Sequence, residues 1–282
     1  MPELPEVEVT RMGLLPQILG RRITKISHSG KQLRVPVPRK LLAMHVLGNM
    51  IVTIDRRAKY LLFRIENGST LIIHLGMTGK LGLLPSMEPP ATHDHLRLLL
   101  DDGRELRFND TRRFGSVMVW PFIEAQKMEA DFSSRIGVEP FSNDFNISYL
   151  QNQSRSRKMP VKNFLMDSRI LAGVGNIYAN EILFAASIHP QTPTKNITQH
   201  EWKIIISATR RILKKAIQSG GSTISDFLGS SGNPGYFQVH FNVYNRTGQK
   251  CKRCKNNINK TIIGGRATFF CPQCQPLKAN GS

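Results

Sequence analysis

The sequence predicts an α+β chain of two domains, with a β-rich N-terminal half folded as a sandwich or barrel and a helical C-terminal half ending in a zinc ribbon. Three observations carry this expectation. Seven short β-type runs separated by turn residues occupy positions 22–122, helically spaced apolar residues dominate 161–219, and all four cysteines fall in a single C-x2-C-x16-C-x2-C pattern at 251–274. The length of 282 residues also exceeds what one hydrophobic core usually organises.

The elements follow in chain order. From Pro5, the apolar residues Val7, Met12, Leu15 and Leu19 recur at helical spacing, and Gly20 closes an amphipathic N-terminal helix. The β-type runs are Ile23–Ser27, Met50–Asp55, Tyr60–Ile65, Thr70–Leu75, His95–Leu100, Glu105–Phe108 and Gly115–Trp120. Turns such as Glu66-Asn67-Gly68 and Asp101-Asp102-Gly103 separate them. After Glu139-Pro140 the pattern changes, and Ser154–Lys158 is a polar basic bridge without an apolar partner. Helices are expected at Val161–Ser168, Ile177–Ala186 and Gln199–Ser219. The last has Trp202, Ile205, Ile206, Leu213, Ala216 and Ile217 on one side and Arg210, Arg211, Lys214 and Lys215 on the other. A Gly/Ser-rich segment, Gly220–Gly235, leads to the ribbon. The resulting division is 1–134 for the N-terminal domain, 135–155 for a linker, 156–235 for the helical domain and 236–282 for the zinc-binding module.

Composition narrows the partners. Lys plus Arg number 39 against 20 Asp plus Glu, a formal charge of +19, while 40% of residues are hydrophobic. The chain therefore has material for a core and carries the electrostatic footprint of a nucleic-acid binder. No apolar run approaches the roughly 20 residues needed to span a bilayer, so no membrane partner is expected. The acidic, proline-containing start Met-Pro-Glu-Leu-Pro-Glu is unlike a signal peptide, and the expected location is the cytoplasm.

Cys251, Cys254, Cys271 and Cys274 are spaced so that two turns offer four thiolates to one tetrahedral Zn²⁺. Two disulfides are the alternative, disfavoured in a reducing compartment. Lys260–Phe270, centred on Gly264-Gly265, reads as the hairpin of a ribbon. Four protein ligands leave no open position on the metal, so its role is structural.

Three further segments carry chemistry. Leu171-Ala-Gly-Val-Gly-Asn-Ile177 precedes a helix start, where free backbone N–H groups bind phosphate; an ordinary interhelical turn is the other reading. Asp110-Thr-Arg-Arg-Phe-Gly115 follows a strand and offers a guanidinium for a base edge and a ring for a base step. Removal of Met1 exposes Pro2, whose α-amine, with an ordinary pKa near ~8, is a usable nucleophile at neutral pH. Glu3 and Glu6 beside it suit proton transfer, or they simply favour a helix N-terminus.

Six ordered motifs, Met1–Glu8, Arg56–Tyr60, His74–Gly79, Asp110–Gly115, Gly173–Glu181 and Gly265–Cys271, together resemble the bacterial formamidopyrimidine-DNA glycosylase family from residue 2 to the final ribbon. The resemblance implies an N-terminal β-sandwich flanked by helices, a helix-two-turn-helix domain and a zinc finger, with duplex DNA held between domains. It implies base excision repair in a nucleoid-associated monomer: removal of 8-oxoguanine and formamidopyrimidines from duplex DNA, then strand cleavage at the abasic site by β,δ-elimination. On this chain the resemblance makes Pro2 the Schiff-base nucleophile and Glu3 the proton donor at the sugar. Lys59 resembles the proton donor in β-elimination and Arg266 that in δ-elimination. His93, Arg157, Lys162 and Asn176 resemble DNA contacts, while Met77, Arg112 and Phe114 resemble the trio that fills the gap left by the flipped nucleotide. Two residues depart from the family pattern: Asn233, in the Gly232–Phe237 loop that resembles a lesion cover, stands where some relatives have lysine, and Asn245 stands where glycine is usual. Endonuclease VIII-like excision of oxidised pyrimidines is a nearby alternative, against which Leu4 argues. A non-catalytic zinc-ribbon DNA-binding protein is a more distant one.

Overall fold

The computed structural model describes residues 2–220 and 241–277. These form two compact units, one within residues 2–135 and the other from 136–218 together with 241–277. The Gly232–Phe237 loop and Asn233 lie outside the described residues.

The first unit opens with α1 (Leu4–Ile18), followed by β1 (Ile23–His28), α2 (Arg39–His45), β2 (Ile51–Arg57), β3 (Tyr60–Ile65), β4 (Thr70–His74), β5 (Lys80–Pro85), β6 (Asp94–Leu100), β7 (Arg104–Asn109), β8 (Ser116–Trp120) and α3 (Phe122–Ser134). The strands make two antiparallel four-stranded sheets, ordered β1-β6-β7-β5 and β2-β3-β4-β8. Strand alternation places Leu61, Phe63, Leu71 and Ile73 of one sheet in a core with Leu96, Leu98, Leu106 and Phe108 of the other. The opposite face of the second sheet offers Leu62, Ile72 and Trp120, against which α3 packs Ala125, Met128 and Phe132.

Helix α1 forms as expected, but its buried stripe is Val7, Thr10, Leu14 and Ile18, while Met12 and Leu19 are exposed. The i, i+3, i+4 and i+7 relation selects the stripe, and Met12 and Leu19 fall on its solvent side. Among the described residues strand β5 pairs only with β7, at the sheet edge, which is where a strand containing Gly82 and ending at Pro85 is tolerated.

The second unit comprises α4 (Ile147–Ser154), α5 (Val161–Met166), α6 (Asn176–Ala185), a 3-10 turn at Thr194–Asn196, α7 (Gln199–Gln218) and the hairpin β9 (Asn259–Ile263) and β10 (Arg266–Phe270). Residues 135–155 hold α4, whose Leu150 is fully buried, and a parallel bridge pairs Val138 with Leu171. Helix α6 is buried from Ile177 to Phe184, including Asn180 and Glu181. The Glu181 carboxylate accepts hydrogen bonds from the backbone N–H groups of Asn242, Val243 and Tyr244 at 2.8–3.0 Å. This ties the chain entering the ribbon to the helix. Asn245 has φ +57°, the left-handed region where glycine is at ease and asparagine is the next most tolerant residue, so its departure from glycine keeps the backbone path. On α7, Arg210 donates to the carbonyls of Pro140, Ser142 and Phe145, so it clamps the preceding loop rather than joining a solvated basic face.

Candidate active site and nucleic-acid interface

Pro2 and Glu3 precede α1 directly. Glu3 is the N-cap residue, 1% exposed, and its N–H donates to Glu6 Oε2 at 2.8 Å in a capping box. The same reciprocal bond that starts the helix therefore fixes the peptide carrying Pro2. Glu8, one turn further on, accepts from Arg11 and Arg56, and the Arg56 Nη1–H donates to the Ala58 carbonyl at 3.0 Å. Ala58 has φ +52° in the β2–β3 turn, and Lys59 follows it. Helix α1 and the Lys59 turn are thereby joined through one guanidinium.

Lys59 also acts on His74, at the end of β4. Burial first, then the Lys59 and Arg34 charges, push the His74 imidazole down to about 4 against the pull of Asp110. The neutral ring accepts the Gly76 N–H at Nδ1, 3.2 Å away, and lies against Tyr60 with ring centroids 4.6 Å apart.

Beyond β4 the chain turns through Gly76, Met77 and Thr78. This turn touches the Asp110–Gly115 loop, where Arg112 and Phe114 are exposed and the Arg112 guanidinium lies 4.6 Å from the Phe114 ring centroid. The Asp110 side chain is buried between the two segments. His93 is half-buried, and its carbonyl accepts the Asp110 N–H at 3.0 Å. His95 is fully buried; burial holds its ring below the ordinary imidazole range. A carbonyl only accepts, so His95 Nε2 donates to Asp110 O at 2.9 Å and Nδ1 accepts the Ser29 hydroxyl at 2.8 Å. Asp110 and Thr78 lie inside two of the sequence motifs, yet neither was among the candidate site residues. Their signal was faint: an acid and a hydroxyl beside glycines, with no pattern linking the two motifs.

In the second unit, Arg157 is half-buried and reaches Gln153 Oε1 at 3.4 Å. Lys162 is 0% exposed. Its Nζ donates to Ala267 O at 3.1 Å and to Thr268 Oγ1 at 2.7 Å. Asn176, the first residue of α6, donates its Nδ2–H to that same Ala267 carbonyl at 3.0 Å. Arg266 is exposed at the start of β10, beyond a turn in which Gly264 and Gly265 both have positive φ. The two polar side chains thus hold the strand one residue beyond Arg266.

The four cysteine Sγ atoms lie within 4.8 Å of one another. Cys251 to Cys274 is 3.9 Å and Cys254 to Cys271 is 3.3 Å. These separations exceed a disulfide bond and bracket the edge of about 3.8 Å that a tetrahedral ZnS₄ site with ~2.3 Å arms requires. Between the first pair, Arg253 lies 4.3 Å from the Phe184 ring centroid and donates to the carbonyls of Phe184 and Ala185 at the C-terminus of α6.

Three family models cover the chain: the formamidopyrimidine-DNA glycosylase N-terminal domain at residues 1–117, the H2TH domain of the same enzyme at 136–228, and the zinc finger found in FPG and IleRS at 248–277. The formamidopyrimidine-DNA glycosylase of Alteromonas mediterranea is 44% identical over 275 residues, spanning 98% of this chain and 100% of the relative. The chain belongs to the formamidopyrimidine-DNA glycosylase family. Its relative from Geotalea uraniireducens is 46% identical over the same shares of both chains. Among solved structures, a Lactococcus lactis FPG variant in complex with Fapy-dG-containing DNA superposes with a TM-score of 0.88 at 35% identity, covering 98% of this chain and 100% of that one. The Lactococcus lactis Fpg complex with abasic-site DNA also gives 0.88, at 34% identity and the same coverage. The zinc-finger match agrees with the sulfur separations: the chain carries one zinc site, and Cys251, Cys254, Cys271 and Cys274 are positioned to hold the ion. Among the described residues no helix is long and apolar enough to cross a membrane.

Proposed function

We propose that this glycosylase removes 8-oxoguanine and formamidopyrimidines from duplex DNA with Pro2 as nucleophile, and that the same covalent intermediate drives cleavage of the strand. Pro2 nitrogen bonds to C1′ of the everted nucleotide, the C1′–N bond to the damaged base breaks, and Glu3 supplies a proton to the ring oxygen as the sugar opens. The iminium so formed withdraws electrons. Loss of a C2′ proton expels the 3′ phosphate, and loss of a C4′ proton expels the 5′ phosphate. Lys59 serves the first elimination and Arg266 the second. Hydrolysis of the iminium returns the free amine.

The observation that carries this reading is the attachment of Pro2 to a buried, N-capping Glu3, itself braced by Glu6, in a chain related to glycosylases over nearly its whole length. His93, Arg157 and Asn176 are assigned to the DNA backbone, whereas Lys162, expected from the sequence to join them, is buried against Ala267 and Thr268 and is assigned instead to holding the strand beside Arg266. Met77, Arg112 and Phe114 are assigned to the gap in the stack, with Arg112 toward the orphaned cytosine. Zinc holds the ribbon that presents Arg266 and takes no chemical part. We place catalysis in residues 1–134 and DNA binding in 156–235 and 236–282, with the enzyme acting as a cytoplasmic, nucleoid-associated monomer.

Borohydride trapping on an 8-oxoguanine duplex tests the covalent step. A covalent adduct is expected from protein whose mass shows Met1 removed, and none from P2G. Absence of an adduct in the parent, with tight binding retained, would favour a non-catalytic DNA-binding protein. Faster excision of thymine glycol than of 8-oxoguanine would favour the oxidised-pyrimidine alternative.

A further inference from the structure

Asp110 joins three segments of the first unit that carry proposed DNA-facing side chains. Its Oδ1 accepts the Thr78 hydroxyl at 2.6 Å, and its Oδ2 accepts the Gly115 N–H at 2.8 Å. Its backbone N–H donates to His93 O, and its carbonyl accepts from His95 and from the Arg113 N–H. The Thr78 hydroxyl, while donating to Asp110, accepts the Arg112 N–H at 3.1 Å. Gly76 closes the second contact: a Cβ there would lie 2.4 Å from Gly115 N and 2.5 Å from the Phe114 carbonyl carbon. Met77 is therefore flanked by Thr78, hydrogen-bonded to the loop that carries Arg112 and Phe114, and by Gly76, whose backbone packs directly against that loop.

Three separately mobile side chains entering a base stack would each lose conformational freedom at insertion, whereas chains held on one scaffold have lost much of it on folding. We infer that Thr78 and Asp110 are positioning residues that lock the Met77 turn to the Arg112–Phe114 loop, so that these side chains enter the duplex as one wedge. Thr78 is suited to this because one hydroxyl both donates to the carboxylate and accepts from the opposing loop. Asp110 is suited because it is buried and its carboxylate oxygens bridge the two segments. This inference rests on the assignment of Met77, Arg112 and Phe114 to the gap in the stack.

The test compares two substrates under single-turnover conditions: 8-oxoguanine opposite cytosine in a duplex, where a base must be extruded, and a preformed abasic site in single-stranded DNA, where no stack is opened. T78V should slow duplex excision at least tenfold more than it slows single-strand cleavage, and it should narrow the preference for cytosine over adenine opposite the lesion. T78S, which keeps the hydroxyl, should restore both readouts, and D110N should follow T78V if its thermal unfolding remains cooperative. Parent-like behaviour of T78V on both substrates, or equal slowing on both, would overturn the inference. The combined M77A and F114A variant separates the layers. If it excises at the parent rate, the wedge assignment itself is wrong; if it is impaired while T78V is normal, only the positioning role fails.

Discussion

Arg56 Nε stands 2.9 Å from Glu8 Oε2 while the same guanidinium holds the Ala58 carbonyl at 3.0 Å, so helix α1 and the turn bearing Lys59 share one brace. Both side chains are largely buried, and because Arg11 still pairs with Glu8 when Arg56 is lost, the cost is that of the charge-assisted hydrogen bonds removed. R56M is expected to cost about 2–3 kcal/mol in urea unfolding. It should also slow borohydride-trappable adduct formation and β-elimination more than it weakens binding to uncleavable abasic-analogue DNA. A binding loss as large as the rate loss would argue against the brace.

Acid should weaken the first unit in two windows. The His74 imidazole is held down to about 4 from an ordinary 6.5, so the unfolded chain takes up the proton first, and its contribution declines as pH falls from 6.5 to about 4. Burial favours a neutral Glu8 carboxyl, but hydrogen bonds and charge from Arg11, then Arg56, outweigh it and hold Glu8 below its ordinary 4.5. That contribution is complete above 4.5 and is lost as pH falls below it. Calorimetry should show the thermal midpoint falling through both windows, with H74Q flattening the upper one.

Zinc removal should act through Arg253 as well as through the ribbon itself. The Cys251–Cys254 turn delivers Arg253 to the carbonyls ending α6, and metal binding supplies much of the folding energy of so small a module. Denaturing release should yield one zinc per chain. Chelation or C271S should expose the ribbon to protease and weaken lesion-DNA binding at least tenfold, with a shallower salt dependence as basic contacts are lost.

Lys162 is tested by the split between the two eliminations. Its ammonium is buried on Ala267 O and Thr268 Oγ1, adjacent to Arg266 in the chain. K162M should leave β-elimination close to the parent rate and slow δ-elimination several-fold, seen on a gel as accumulation of the β product. Uniform weakening across DNA substrates, with the product ratio unchanged, would assign Lys162 to the phosphate backbone instead.

Much of this architecture was legible along the chain because its determinants are local. Cysteine spacing and the paired glycines at 264 and 265 mark a metal-binding hairpin, and both glycines adopt the positive φ that a two-residue turn needs. Alternating runs marked seven of the eight strands of the first unit. The eighth, β5, escaped because Gly82 and Pro85 imitate a loop, and only its place at a sheet edge makes it a strand. Helix α3 escaped for a related reason: Phe122 and Ile123 are exposed, and its buried face is recognisable only against Leu62, Ile72 and Trp120.

The sequence by itself determined the order of β-rich, helical and ribbon segments, the spacing of the four cysteines and the motifs of the family, because periodicity and short spacings are written in consecutive residues. Only the tertiary structure decided that Lys162 is buried against the ribbon, that Arg210 clamps a loop, and that Thr78 meets Asp110 across 32 positions. A buried charge or hydroxyl must find a partner once water is excluded, and which distant segment supplies it is fixed by packing.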